Sequence, residues 1–202
     1  DQEVQVYSFN TLVASALFDA EGRIVSLKLD EMEVATPNYD GADMPQFSGF
    51  PGQGGYNNDE NHDGKVEGKT ADSEEQFLAE FDTWKTKRER GDSYKLNSGT
   101  WASEADVFEK LFVGKTIAEV EDWFAKYTDA NGRPLQAEAK SDEDKAKFSA
   151  LTDDEKKMLE DVRTGATISL KDPHGDFITA LKKAYELRQP LDVKEAAAEG
   201  LG

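Results

Sequence analysis

Asp161-Val162-Arg163-Thr164-Gly165-Ala166-Thr167-Ile168-Ser169 sets two threonine hydroxyls on either side of a Gly-Ala pair. Gly165 and Ala166 keep the backbone uncluttered, so that a large partner can reach a hydroxyl and main-chain N–H groups can face a phosphate. A threonine alcohol is too weakly acidic to attack an electrophile unaided; an enzyme with its own metal must activate both sides. The same residues also suit a small-residue turn leading into a strand.

The stretch resembles the D-x-x-[S/T]-G-A-T motif of the FMN-binding domain family, which includes the C subunit of the sodium-pumping NADH:quinone reductase and the G subunit of the Rnf complex. In that family a flavin transferase takes the FMN half of FAD and joins its phosphate to the last threonine. The resemblance implies a covalent FMN on Thr167, with Asp161, Thr164, Gly165, Ala166, Ile168 and Ser169 as the cofactor-binding surroundings. Asp161 would be repelled by the phosphate unless screened, so it reads as a handle for the transferase or a turn-former. The resemblance also implies an extracytoplasmic electron-transfer protein, often a membrane-anchored lipoprotein, fed by a membrane quinol or a flavoprotein donor. The chain opens on Asp1-Gln2-Glu3 without a methionine, as a processed start would, so a signal and anchor are expected to have been removed.

Composition narrows the alternatives. With 42 acidic against 24 basic residues the net charge is -18, which argues against nucleic acid and anionic membrane surfaces. The absence of cysteine excludes disulfides, thiolate metal sites, iron-sulfur clusters and c-type haem attachment, so redox chemistry must come from a bound cofactor. No apolar run is long enough to span a bilayer as a helix.

The elements that must carry the motif can be read from pattern. Val4 to Phe9, Thr11 to Phe18 and Arg23 to Met32 are expected as antiparallel strands, the last with Val25, Leu27 and Leu29 on one face and Asp19 to Gly22 as the preceding turn. Helices are expected after Ser73, with Phe77, Phe81 and Trp84 on one face, from Ser103 to a stop at Gly114, and after Thr116 with Glu119. Asn131 to Pro134 reads as a turn, and residues 136 to 147 as a solvated connection or helix face. Thr152 with Glu155 caps a helix that delivers the chain to Thr164; Ala166 to Leu170 reads as a strand, and Asp172-Pro173 as the start of a last helix.

Other stretches carry chemistry of their own. The glycine-rich loop around Phe50 to Asn57 could lie against an isoalloxazine ring, with Gln53 or Asn57 on its pyrimidine edge, or be a surface loop held by Phe50 and Tyr56. Asp59, Asn61 and Asp63 followed by Gly64 match the opening of a calcium loop, but Thr70 stands where the closing acid belongs, so a solvated turn with His62 exposed is the other reading. The cations from Lys85 to Arg90 either bind an anion or pair with the surplus acids. Lys171 and His174 are close enough in sequence to reach a phosphate, although a histidine so placed is more often a surface residue at a helix start than a ligand.

These readings converge on an α+β fold: a small antiparallel sheet joined by the motif strand, with helices on one face. A single FMN-binding domain would occupy residues 1 to 190, with a long helical and loop insertion over residues 35 to 150 and an acidic tail from 191 to 202. The expected function is electron transfer through tethered FMN, and no metal or catalytic residue is assigned. The alternative is a calcium-stabilised cell-surface binding module. A flavin-reductase-like enzyme lacks the placed acids, bases and nucleophiles it would need.

Overall fold

The computed structural model describes residues 7–36, 45–51, 56–58, 67–69, 71–96, 98–172 and 175–191. Its longest strands, β1 (Ser8–Phe18) and β2 (Ile24–Ala35), form an antiparallel hairpin. Three short antiparallel pairs follow: β3 (Tyr56–Asn58) with β4 (Glu67–Lys69), β5 (Lys95–Leu96) with β6 (Gly99–Thr100), and β7 (Lys171–Asp172) with β8 (Gly175–Asp176). The helices are α1 (Glu74–Asp82), α2 (Lys87–Arg90), α3 (Trp101–Phe112), α4 (Ile117–Tyr127), α5 (Asp142–Ser149), α6 (Asp153–Gly165) and α7 (Phe177–Glu186). The expected α+β class, with helices packed on one face of a small antiparallel sheet, is what the chain adopts.

Period-two alternation decides which face of the hairpin is covered. Leu12, Ala14, Ala16 and Phe18 of β1 and Ile24, Leu27 and Leu29 of β2 turn inward, whereas Val13, Leu17 and Val25 stay exposed. Val25 was expected beside Leu27 and Leu29. Phe18 pairs with Ile24 and Leu17 with Ser26, so Val25 is the extra residue of a bulge, and the alternation changes phase there. Ile24 takes the buried place instead. The turn before it closes at Gly22, whose φ of 77° favours glycine, and the Tyr185 hydroxyl would lie 2.8 Å from any Cβ added there.

Helix α7 covers β1 and α3 covers β2, with α4 and α6 completing the layer. The core between them is aromatic: Phe108 and Phe112 of α3 meet Trp123 and Phe124 of α4 at ring separations of 5.5–6.3 Å. Burying each such ring is worth about 1.5–3 kcal/mol relative to leaving it in water. Helices α3 and α4, both within the span expected as an insertion, thus share one core with the N-terminal hairpin.

Two start signals lie three and four residues from where the pattern put them. Helix α3 begins at Trp101, because the Thr100 side chain accepts from the Ser103 N–H, which makes Ser103 its third residue and not its cap. The last helix begins at Phe177, capped by Asp176 Oδ1 on the Ile178 and Thr179 N–H groups; Lys171–Asp172 is the first arm of a hairpin. Ser73 caps α1 as expected, but the Gln76 side chain accepts from Asp72, one residue before the cap.

The boxes at Thr116 with Glu119 and Thr152 with Glu155 form in full. Glu155 also receives Lys126 Nζ and the Tyr127 hydroxyl, and these contacts, Lys126 first and the Thr152 N–H next, lower its pKa from 4.5 to about 2. A carboxyl group lowered on folding adds stability that is whole above its ordinary value and lost as pH falls through the folded one. Titration followed by carboxyl NMR should therefore put the Glu155 midpoint at about 2, and E155Q should lessen the fall in Tm between pH 4.5 and that point. A midpoint at the ordinary glutamate value would refute the assignment.

Candidate functional site

Helix α6 ends inside the motif. Asp161 and Thr164 lie on its exposed side, and Thr164 Oγ1 donates back to the Glu160 carbonyl at 2.9 Å. Gly165 is its last residue, and the Ala166 N–H makes the final helical bond to Val162 O at 2.9 Å. A Cβ on Gly165 would stand 2.9 Å from Val107 Cγ2, so the absence of a side chain lets α6 approach α3. Ala166 is fully buried, Ile168 nearly so, and Thr167 between them is exposed.

Beyond α6 the chain does not become the expected strand. Ala166 to Ser169 has no regular structure, and among the described residues the next strand along the chain is the two-residue β7, paired with β8. A side chain stands where a strand partner would have been. Glu104 of α3, fully buried, accepts the Thr167 N–H at 2.6 Å and the Ile168 N–H at 3.0 Å, both on Oε2. The same oxygen accepts the Thr167 hydroxyl at 3.1 Å. With these donors satisfied by a carboxylate, the segment has no call for a neighbouring strand. Glu104 Oε1 and Ser169 Oγ are enclosed without a hydrogen-bond partner among the described residues.

Thr167, Ile168 and Ser169 form one wall of a cleft of about 740 Å³. Trp101, Tyr94 and Leu96 supply apolar surface, Lys87, Lys95 and Arg133 positive charge, and Glu31, Glu33 and Asp172 negative charge. Glu31 and Glu33 continue the inward face of β2 past the apolar core, and Lys87 meets them at 2.9 and 3.4 Å. Burial works against the Lys87 charge, but the two carboxylates prevail and raise its pKa. For Glu31 burial outweighs the attraction of Lys87, and its pKa is raised as well.

The basic cluster therefore goes mostly to pairing with acids. Arg88 donates through Nε to Leu29 O at 2.6 Å and through Nη1 to Asp106 at 2.9 Å, with Nη2 on Glu109, tying α2 to β2 and α3. Lys85 is exposed. Phe50 packs edge-on against Phe77 at 5.3 Å, as a loop anchor would. Gln53, Asp59, Asn61, His62, Asp63 and His174 lie outside the described residues, as does the side chain of Asn57. No group of carboxylate or histidine side chains among the described residues is arranged to hold a metal ion.

Glu104, Trp101, Tyr94 and Arg133 escaped the sequence reading. One signal for Glu104 was present: it falls on the apolar stripe of α3 between Trp101 and Phe108, at the three- and four-residue spacing of a helix face. A charged residue on such a stripe needs a buried partner.

The chain is 42% identical over 194 residues to a chlorophenol reductase of Desulfitobacterium hafniense, an alignment that takes in 91% of this chain and 52% of that protein. The chain thus spans about half the length of the curated relative it matches. No protein-family model matches the chain, and no solved structure does.

The helix junction can be tested directly. G165A brings a methyl group against Val107, a β-branched residue with little rotamer freedom in a helix. Overpacking of this kind costs about 1–3 kcal/mol, against a gain of up to about 1 kcal/mol in helix propensity. Urea unfolding should show net destabilisation in G165A, largely relieved in the double variant with V107A. Equal losses in both backgrounds would remove the close-approach explanation.

Proposed function

We propose that the chain is an electron-transfer domain that carries FMN in phosphoester linkage to Thr167, placed there by a flavin transferase. The observation that supports it most is the position of Thr167: its side chain is exposed, just past a helix end, on the wall of the cleft that holds Trp101, Tyr94, Lys95 and Arg133. The similarity to a protein named as a reductase supports a redox role.

The residues present fit the group. The cleft lies within the range of roughly 300–1,000 Å³ usual for small-molecule sites. Lys95 and Arg133 are exposed cations able to meet a phosphate held on Thr167 Oγ1. Tyr94 offers half-buried aromatic surface for a planar ring, and Lys87 a buried positive charge beside it. FMN bound there would supply one- and two-electron transfer. The chain's own residues would hold it, shield one side from water and set the local charge.

Covalent attachment suits a site outside the cytoplasmic membrane, where a diffusible cofactor would be diluted away; a tether makes the local concentration permanent. In this reading the domain receives electrons from a membrane quinol or a flavoprotein and passes them on, without turnover of a substrate of its own.

Intact mass spectrometry of protein co-produced with a flavin transferase provides the test. Wild type and T164A should gain the mass of FMN less one water, and T167A should gain nothing. A wild-type chain of unmodified mass from a host shown to flavinylate another acceptor would refute the proposal, as would a T167A chain that stays yellow after denaturation.

A further inference from the structure

We infer that Glu104 is the proton acceptor and positioning group for the Thr167 hydroxyl when the phosphoester forms, so that part of the chemistry of attachment is built into the acceptor protein. This rests on the flavin reading of Thr167. Nothing in the sequence motif contains Glu104, which lies 63 residues before Thr167.

The geometry carries the inference. Thr167 Oγ1 is 3.1 Å from Glu104 Oε2, within the reach a general base requires. With its hydrogen donated to Glu104, Oγ1 keeps its lone pairs for a phosphorus atom, and Thr167 lines the cleft. The two backbone N–H groups hold the same carboxylate oxygen at 2.6 and 3.0 Å and do not depend on the hydroxyl. Glu104 is thus held in place before the transfer and remains held after it. Full burial keeps its carboxylate from competing with Thr167 for the incoming phosphorus.

The step balances without an oxidant or reductant. Thr167 Oγ1 forms a bond to the phosphorus of the FMN half of FAD, and the bond from that phosphorus to the bridging oxygen breaks. The electron pair of the broken bond leaves on the phosphate of AMP. The proton of Oγ1 passes to Glu104, which is left as the neutral acid, so the step balances within the two proteins and FAD. The flavin transferase and its divalent metal activate the phosphorus; Glu104 acts on the other partner.

The test is steady-state flavinylation of the purified full chain by a purified flavin transferase with FAD, followed by protein-bound flavin fluorescence after denaturation. E104Q keeps the size of the side chain and an oxygen for the backbone donors. It should lower kcat about 100-fold, the middle of the range for positioned proton transfer, with KM for the acceptor changed less than about threefold. A structural defect alone would raise KM or lower Tm instead. Wild type modified and E104Q modified at the same kcat would overturn the role of Glu104 while leaving the flavin reading intact; wild type left unmodified would remove both.

Should E104Q not fold, NMR of the unmodified wild type decides the matter. The Thr167 hydroxyl proton should be visible and slow to exchange, with a hydrogen-bond connection to the Glu104 carboxylate. A hydroxyl in free exchange with water overturns the inference.

Discussion

One buried carboxylate holds the motif in shape. A charged or polar group taken fully out of water costs several kcal/mol unless donors surround it, and each hydrogen bond to such a group returns about 1.5–3 kcal/mol. Glu104 meets that requirement on Oε2 alone, which collects the Thr167 and Ile168 N–H groups and the Thr167 hydroxyl, while Oε1 is enclosed without a partner among the described residues. The Thr167 and Ile168 N–H groups are in turn satisfied without a strand partner. Helix α3 and the end of α6 are therefore tied together by a polar bond at one place and by the contact of Gly165 with Val107 at the next. Loosening either would let Thr167 drift from the wall of the cleft.

A second set of charges shapes the opposite wall. Strand β2 turns from apolar to acidic along one face, from Leu27 and Leu29 to Glu31 and Glu33. The change marks where the aromatic core ends and the cleft begins, and α2 lies over the boundary. Lys87 answers the two glutamates, while Arg88 reaches past them to Asp106 and Glu109 on α3. The most basic stretch of an acidic chain is thereby spent mainly on fastening a four-residue helix to the hairpin. The exposed cations at the cleft, Lys95 and Arg133, lie outside that stretch, Arg133 in the turn read over Asn131 to Pro134.

What could be read from the sequence was local. The boxes at Thr116 and Thr152 need only residues three apart, so both took the expected form. The inward face of β2 was half legible, because the bulge at Val25 depends on how β1 pairs with it. The segment after Ala166 was misread as a strand for the same kind of reason. Its residues favour extended structure, and what replaces the strand partner is a side chain from a distant helix. The acid on the apolar stripe of α3 was visible as an oddity, but its three donors were not.

The end of α6 also sorts two chemically equivalent alcohols. Thr164 falls within the helix and gives its hydrogen to a carbonyl of the preceding turn; Thr167 falls just outside and is exposed beside the cleft. The difference comes from where the helix stops, not from the residue type. One residue added to α6 would turn everything after it by about 100° about the helix axis and swing the outer threonine away from Glu104. Which of the two hydroxyls meets Glu104 is therefore a matter of helical phase, counted from the Thr152 cap.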